Sequence, residues 1–273
     1  MQAHSRNIIS DLLPIPLGKY LASASYDNTV QIWNMSNLDL LTTYIGHTNP
    51  VVTIDLLDNF TMLSGSVVGK VHVWTIQTGA YITGINVGSS LICLKSLGNS
   101  QRMATSDYTN FVKIWDVFTG LLVASLTGHS AYVLDLALVN SNMLASASKD
   151  NTIIVWDLNT YTAFSTLVGH SGPVRTLKMV LPYGGGDLLA SGSDDTSVIV
   201  WNLATGSMVS RLVGHVGSIQ ASLQLVGSDS LMSPSLDNTI KVWSISQASL
   251  INSINIGFSF NNFEMLQDYG EYF

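Results

Sequence analysis

Residues 145–160 read ASASKDNTIIVWDLNT, residues 22–37 read ASASYDNTVQIWNMSN, and SPSLDNTIKVWSISQ begins at Ser233. Near-copies of one stretch within a single chain point to an internal repeat, and the tryptophans measure its period. The chain has six, Trp33, Trp74, Trp115, Trp156, Trp201 and Trp243, and subtracting neighbours gives steps of 41, 41, 41, 45 and 42 residues. The longest step coincides with LPYGGGD at 181–187, which reads as an enlarged turn.

The residues one and three before each tryptophan are always Val or Ile: Val30/Ile32, Val71/Val73, Val112/Ile114, Ile153/Val155, Val198/Val200 and Ile240/Val242. A period of two with β-branched residues predicts a strand with one aliphatic face. The other face carries the tryptophan and a variable residue, and a slip of one position would exchange the faces, so the pattern also sets register. Small-residue segments such as LASAS, MLSGS and LLASGS precede each tryptophan strand, and Thr-Gly pairs at 78–79, 119–120 and 205–206 follow three of them as hairpin turns. Adding the apolar runs LLVASL and YVLDLALV gives four short strands per unit and no helix.

The repeat resembles the WD-repeat (WD40) β-propeller family. The residues that carry the resemblance are the Gly-His pairs at 46–47, 128–129, 169–170 and 214–215 and the Trp-Asp pairs at 115–116 and 156–157. Asn34, Thr75, Asn202 and Ser244 stand in the second place elsewhere, and the six units run in phase from about His4 to Gly257. The resemblance implies an all-β propeller spanning 1–273 as a single domain, with six complete four-stranded blades and a partial seventh at 258–273. A seventh-blade strand is expected at about 258–266, where Phe258, Phe260, Phe263 and Met265 alternate. Two closures follow, a six-bladed ring with that segment as a tail or a seven-fold arc with a gap, and the alternation favours the arc.

Ser, His and Asp recur together, which raises a hydrolase reading. The resemblance implies instead a structural network in which the buried indole N–H finds an acceptor through Ser, His and Asp. Its members are His4, Asp27, Trp33; His129, Asp150, Trp156; His170, Asp195, Trp201; and His215, Asp237, Trp243. A catalytic triad appears once per chain, not once per repeat, and no G-x-S-x-G elbow occurs. The second unit has Val68 where Asp is expected; the third has Thr109 there and no Gly-His, and Asp107 could stand in only if the turn shifts. GSVVGKV at 65–71 lacks the spacing and the Ser or Thr of a phosphate loop. The histidines and the single Cys93 show no metal-ligand spacing, so no metal and no cofactor is expected.

Composition narrows the partners. At 47% apolar and 11% charged the chain can bury a large core, and a net charge of −7 offers no basic stripe for nucleic acid. MQAHSRNIIS lacks the layout of a signal peptide, no apolar run nears the roughly 18 residues that span a bilayer, and one cysteine fits a reducing compartment. A cytoplasmic or nuclear protein is expected, binding neither membrane nor nucleic acid. In the family, partners often dock on the face carrying the residue before the turn Asp, which maps here to Tyr26, Tyr108, Lys149 and Asp194; Tyr132 and Arg175 lie at the starts of inner strands on that face. The resulting expectation is a non-enzymatic scaffold for protein or peptide partners, with Tyr132, Lys149 and Arg175 exposed on one face. The alternatives are a substrate-receptor or regulatory propeller of a larger protein and, more remotely, an enzyme with a loop-borne hydrolytic site.

Overall fold

The computed structural model describes residues 4–5, 9–15, 19–98, 101–180, 187–221, 223–226 and 229–257. Every element among them is a strand, and the strands form six four-stranded antiparallel blades. The first blade is β1 (Ile9–Ile15), β2 (Tyr20–Ser25), β3 (Val30–Asn34) and β4 (Asp39–Tyr44). The second is β5 (Val51–Leu56), β6 (Thr61–Ser66), β7 (Lys70–Thr75) and β8 (Tyr81–Asn86), and the third is β9 (Leu91–Ser96), β10 (Arg102–Asp107), β11 (Val112–Asp116) and β12 (Leu122–Leu126). The fourth is β13 (Val133–Asn140), β14 (Met143–Ser148), β15 (Thr152–Asp157) and β16 (Thr162–Val168). The fifth is β17 (Val174–Val180), β18 (Leu188–Ser193), β19 (Val198–Asn202) and β20 (Ser207–Leu212), and the sixth is β21 (Gln224–Val226), β22 (Ser230–Pro234), β23 (Thr239–Ser244) and β24 (Ser249–Asn255). This is the blade structure of a β-propeller, as the repeat predicts. The strand expected at 258–266 and most of the enlarged turn at 181–187 lie outside the described residues. No helix among the described residues is long and apolar enough to cross a membrane.

The chain falls into two compact units, one holding the first three blades up to Ser125 and the other the last three from Leu126. Within each, one packing rule repeats. The aliphatic face of a blade lies on the tryptophan face of the next: Ala22, Ala24, Val30 and Ile32 pack with Trp74, and Leu63, Val71 and Val73 with Trp115. Likewise Ala145, Ala147, Ile153 and Val155 pack with Trp201, and Ala190, Val198 and Val200 with Trp243. The Ala-Ser alternation of the second strands therefore brings neighbouring sheets close. At the chain's extremes burial is looser, with Trp33 of the first blade and Ile240 and Val242 of the sixth only half-buried.

Carboxylates on inner strands also tie neighbouring blades together. Asp11 of β1 accepts the Ile54 N–H at 2.9 Å, and Asp135 of β13, at the matching register position, accepts the Leu177 N–H at 2.7 Å. Asp55 of β5 accepts the Ser96 N–H at 2.7 Å and an ion pair from Lys95 at 3.1 Å.

The turn between the second and third strands has one conformation in five blades, with a left-handed residue at Asn28 (φ 72°), Gly69 (76°), Asn151 (71°), Thr196 (70°) and Asn238 (64°). Asparagine tolerates this region; at Gly69 a second constraint is added, because a Cβ there would lie 2.1 Å from the Ser89 carbonyl oxygen. Gly69→Ala is expected to destabilise the chain by about 2 kcal/mol, read as a lower urea midpoint. An unchanged midpoint would show that the turn relaxes freely.

Candidate interaction face and the networks beneath it

Four blades build the same hydrogen-bonded chain. In the fourth, the Trp156 indole N–H donates to Ser146 Oγ at 2.8 Å, Ser146 Oγ meets His129 Nε2 at 2.8 Å, and His129 Nδ1 meets Asp150 Oδ2 at 2.8 Å. The fifth repeats it through Trp201, Ser191, His170 and Asp195 with three contacts of 2.8 Å, and the sixth through Trp243, Ser233, His215 and Asp237 at 2.7, 2.8 and 2.7 Å. In the first the series Trp33, Ser23, His4, Asp27 measures 2.8, 2.7 and 2.9 Å. Indole can only donate, and an ionised carboxylate can only accept. The serine oxygen therefore accepts the indole N–H, and Nδ1–H faces the carboxylate, while in the sixth blade His215 Nε2 also lies 3.0 Å from the Ser233 carbonyl oxygen.

Each aspartate serves its own turn as well. Asp150 accepts the Ser130 N–H at 2.9 Å and the Thr152 hydroxyl at 2.6 Å, and Asp237 accepts the Val216 N–H at 3.0 Å and the Thr239 hydroxyl at 2.6 Å. Burial pushes these carboxyls up, yet the hydrogen bonds from hydroxyl, imidazole and backbone outweigh it. Asp27, Asp150 and Asp195 are all held below the usual carboxylate range, and Asp237 is lowered to about 2. Because Ser146, Ser191 and Ser233 are fully buried and bonded on both sides, their hydroxyls act within the blade wall.

The second blade departs where Val68 replaces the aspartate. His47 Nε2 keeps its serine, Ser64 Oγ at 2.7 Å, and Trp74 donates to the same oxygen at 3.1 Å. The imidazole instead stacks on His72 of β7, with centroids 4.0 Å apart and planes 10° from parallel. Tyr44, from β4 of the preceding blade, stacks on Trp74 at 4.8 Å and reaches His72 Nδ1 with its hydroxyl at 2.8 Å. The pairing of His72 with His47 has no sequence signal beyond the missing aspartate.

In the third blade the indole of Trp115 donates to Thr105 Oγ1 at 2.9 Å, with no histidine in the chain. Asp107 does turn inward, buried at 2% exposure, where it accepts Lys113 Nζ at 2.7 Å and the Ser89 hydroxyl. It does not replace the turn aspartate, however. It lies eight residues before its tryptophan, the place held by Ser148 in the fourth blade.

Above these networks lie the predicted contact residues. Backbone bonds explain why the two sets are neighbours: Lys149 N–H donates to the Tyr132 carbonyl at 2.9 Å, and Asp194 N–H to the Pro173 carbonyl at 3.0 Å. Lys149 Nζ stands 5.9 Å from the Tyr132 ring centroid, a cation–π distance, and both residues are exposed. Arg175 differs from expectation. It is not an exposed contact residue: its side chain is 12% exposed and forks onto Asp194, with Nε 3.0 Å from both oxygens and Nη2 2.8 Å from Oδ2. Asp194 also accepts the Ser218 hydroxyl from the sixth blade, so the pair joins two blades. In the other unit Tyr108 is exposed and Tyr26 half-buried.

Comparison with known proteins agrees with this geometry. The family model described as "WD domain, G-beta repeat" matches residues 1–34, 120–157 and 162–202. Autophagy-related protein 16 of Arabidopsis thaliana is 29% identical over 93 residues, which is 34% of this chain and 18% of that protein. Protein SPA1-RELATED 3 of the same plant is 32% identical over 84 residues, 30% of this chain and 10% of that protein. Mitochondrial division protein 1 of Neurospora crassa is 31% identical over 81 residues, 30% of this chain and 12% of that protein. The matched stretch is thus under a fifth of the length of each of these relatives. The matched segments, the six blades and the recurring Trp-Ser-His-Asp chain show that this protein carries WD40 repeats folded as the blades of a β-propeller.

Proposed function

We propose that the chain is a non-enzymatic scaffold that binds a protein or peptide on the face bearing the turn aspartates. The observation that carries this reading is the Lys149–Tyr132 pair. It is an exposed cation laid on an exposed aromatic ring, fixed by a backbone hydrogen bond above a rigid network. Aromatic and cationic side chains held in one geometry contribute strongly to contacts because little freedom is lost on binding. The small matched fraction of the relatives supports a variant of the same reading, in which the propeller is the partner-binding part of a larger protein. A cytoplasmic or nuclear setting is proposed with it, on the single cysteine.

Tyr132→Ala combined with Lys149→Glu is expected to remove captured partners from an affinity pull-down with mass spectrometry, leaving the melting temperature within a few degrees of the parent. Arg175 is left intact in this test, because its loss would strand Asp194 between two blades. Unchanged capture would remove this face as the binding surface.

A further inference from the structure

We propose that the contact between the first and second blades is a proton-operated joint, in which protonation of the stacked His47–His72 pair opens the second blade while the fourth and fifth blades stay closed. The internal repeat supplies the comparison. In four blades the histidine faces a carboxylate at 2.7–2.9 Å that offers an arriving proton a counter-charge, though burial outweighs it at His215 of the sixth. In the second blade the matching histidine faces another imidazole, 4.0 Å away.

Burial, His72 and Lys70 oppose a proton on His47, while the Ser64 backbone favours one. From β4 comes the Tyr44 phenol, from β6 the Ser64 hydroxyl, and from β8 the edge of Tyr81, 5.3 Å from His72. Lys70 is the charged group that bears on both rings, and it is positive. Burial first, and His72 and Lys70 after it, lower His47 to about 3; burial and Lys70 lower His72. The Trp74 N–H donates to the Ser64 oxygen that also meets His47 Nε2 at 2.7 Å, and the Tyr44 phenol, held neutral with its own value raised to about 12, lies 2.8 Å from His72 Nδ1. With both rings protonated, two like charges would face each other at a centroid separation of 4.0 Å.

What the pair holds is the joint itself. Tyr44 belongs to the first blade, yet its ring stacks on Trp74 of the second, 4° from parallel. Releasing His72 frees the tyrosine hydroxyl, and with it the clasp of β4 on the second blade. The sign follows from linkage. A histidine kept neutral in the closed blade and free to titrate near 6.5 when open favours opening as pH falls below 6.5. Between pH 7.5 and 5.5 the opening constant rises about tenfold for each ring that must stay neutral in the closed form. Asp11, on the inner strand β1 and raised to about 6 by burial, titrates in the same window with the opposite sign, because protonation favours its buried form. Acid-induced opening therefore cannot come from that group.

Hydrogen exchange of the full chain, corrected for the intrinsic pH dependence of exchange, tests the joint. Peptides covering 39–44 and 70–86 are expected to lose protection tenfold or more between pH 7.5 and 5.5, while those covering 143–157 and 188–202 keep theirs. Val68→Asp, which restores the carboxylate to the turn, is expected to flatten the change. Equal protection of the second blade at both pH values, or loss of protection in all blades together, would overturn the proposal. If the variant fails to fold, an NMR titration of the histidine rings in the parent chain decides. Two rings that titrate near 6.5 with the blade still protected exclude the joint, and two rings that take up protons only as protection falls support it.

Discussion

Trp156→Ala is expected to lower the unfolding free energy by about 3–5 kcal/mol, the range for truncating a fully buried aromatic. The ring is 1% exposed, and its N–H is the donor that starts the chain through Ser146 and His129 to Asp150. Removing it leaves a cavity and a buried serine oxygen short of a donor. Trp115→Ala is expected to be milder. That ring is 8% exposed, its N–H ends on Thr105, and the nearby Asp107 is satisfied independently by Lys113 and Ser89. Equilibrium urea denaturation of both variants, with matched slopes, makes the comparison. Greater damage from Trp115→Ala would show that the hydrogen-bonded chain contributes little and that ring packing alone decides.

The second large effect is acid destabilisation. Asp27, Asp150, Asp195 and Asp237 all have folded values below the unfolded one, so the unfolded chain takes up protons first as pH falls. Their stabilisation is complete above about pH 4 and is lost as pH falls through the folded values, at about 2 for Asp237. For Asp237, whose side chain is 6% exposed, the loss is about 2 kcal/mol, and three further carboxylates of the same design add to it. A steep fall in stability between pH 4 and 2 is therefore expected, and Asp237→Asn should make it shallower. A midpoint that stays flat across that window would mean the carboxylates are as well solvated in the fold as out of it.

The sequence shows the blades, the register and the four networks because each rests on a local pattern. Period-two Val and Ile around a tryptophan dictate a strand with two unlike faces, and the fixed Ser, His and Asp offsets place their polar atoms in line. Legibility ends where the partner of a residue lies on another blade or in a substituted position. Arg175 reads as an exposed contact residue, since nothing local shows that Asp194 lies across the sheet within reach of its fork. His72 and Tyr44 are ordinary strand residues until Val68 removes the carboxylate and two blades bring them together. Asp107 shows the same limit, because a lysine on the neighbouring strand decides which way it turns.

The inner-strand carboxylates have a consequence for how the protein comes apart. Asp11 and Asp135 each accept a backbone N–H that belongs to the next blade, so that blade's inner strand depends on its predecessor. A blade that melts strips its neighbour of an acceptor and exposes the aliphatic face that the neighbour's tryptophan covered. In a linear array with such nearest-neighbour coupling, partly melted arrangements are sparsely populated, and each set of tied repeats disappears as a block. Cooperativity here is thus a property of the seams and not of the individual sheets. Cutting one seam, as Asp135→Ala would, is expected to broaden the thermal transition of the last three blades as well as lower it, because the fourth repeat can then melt without taking the fifth with it.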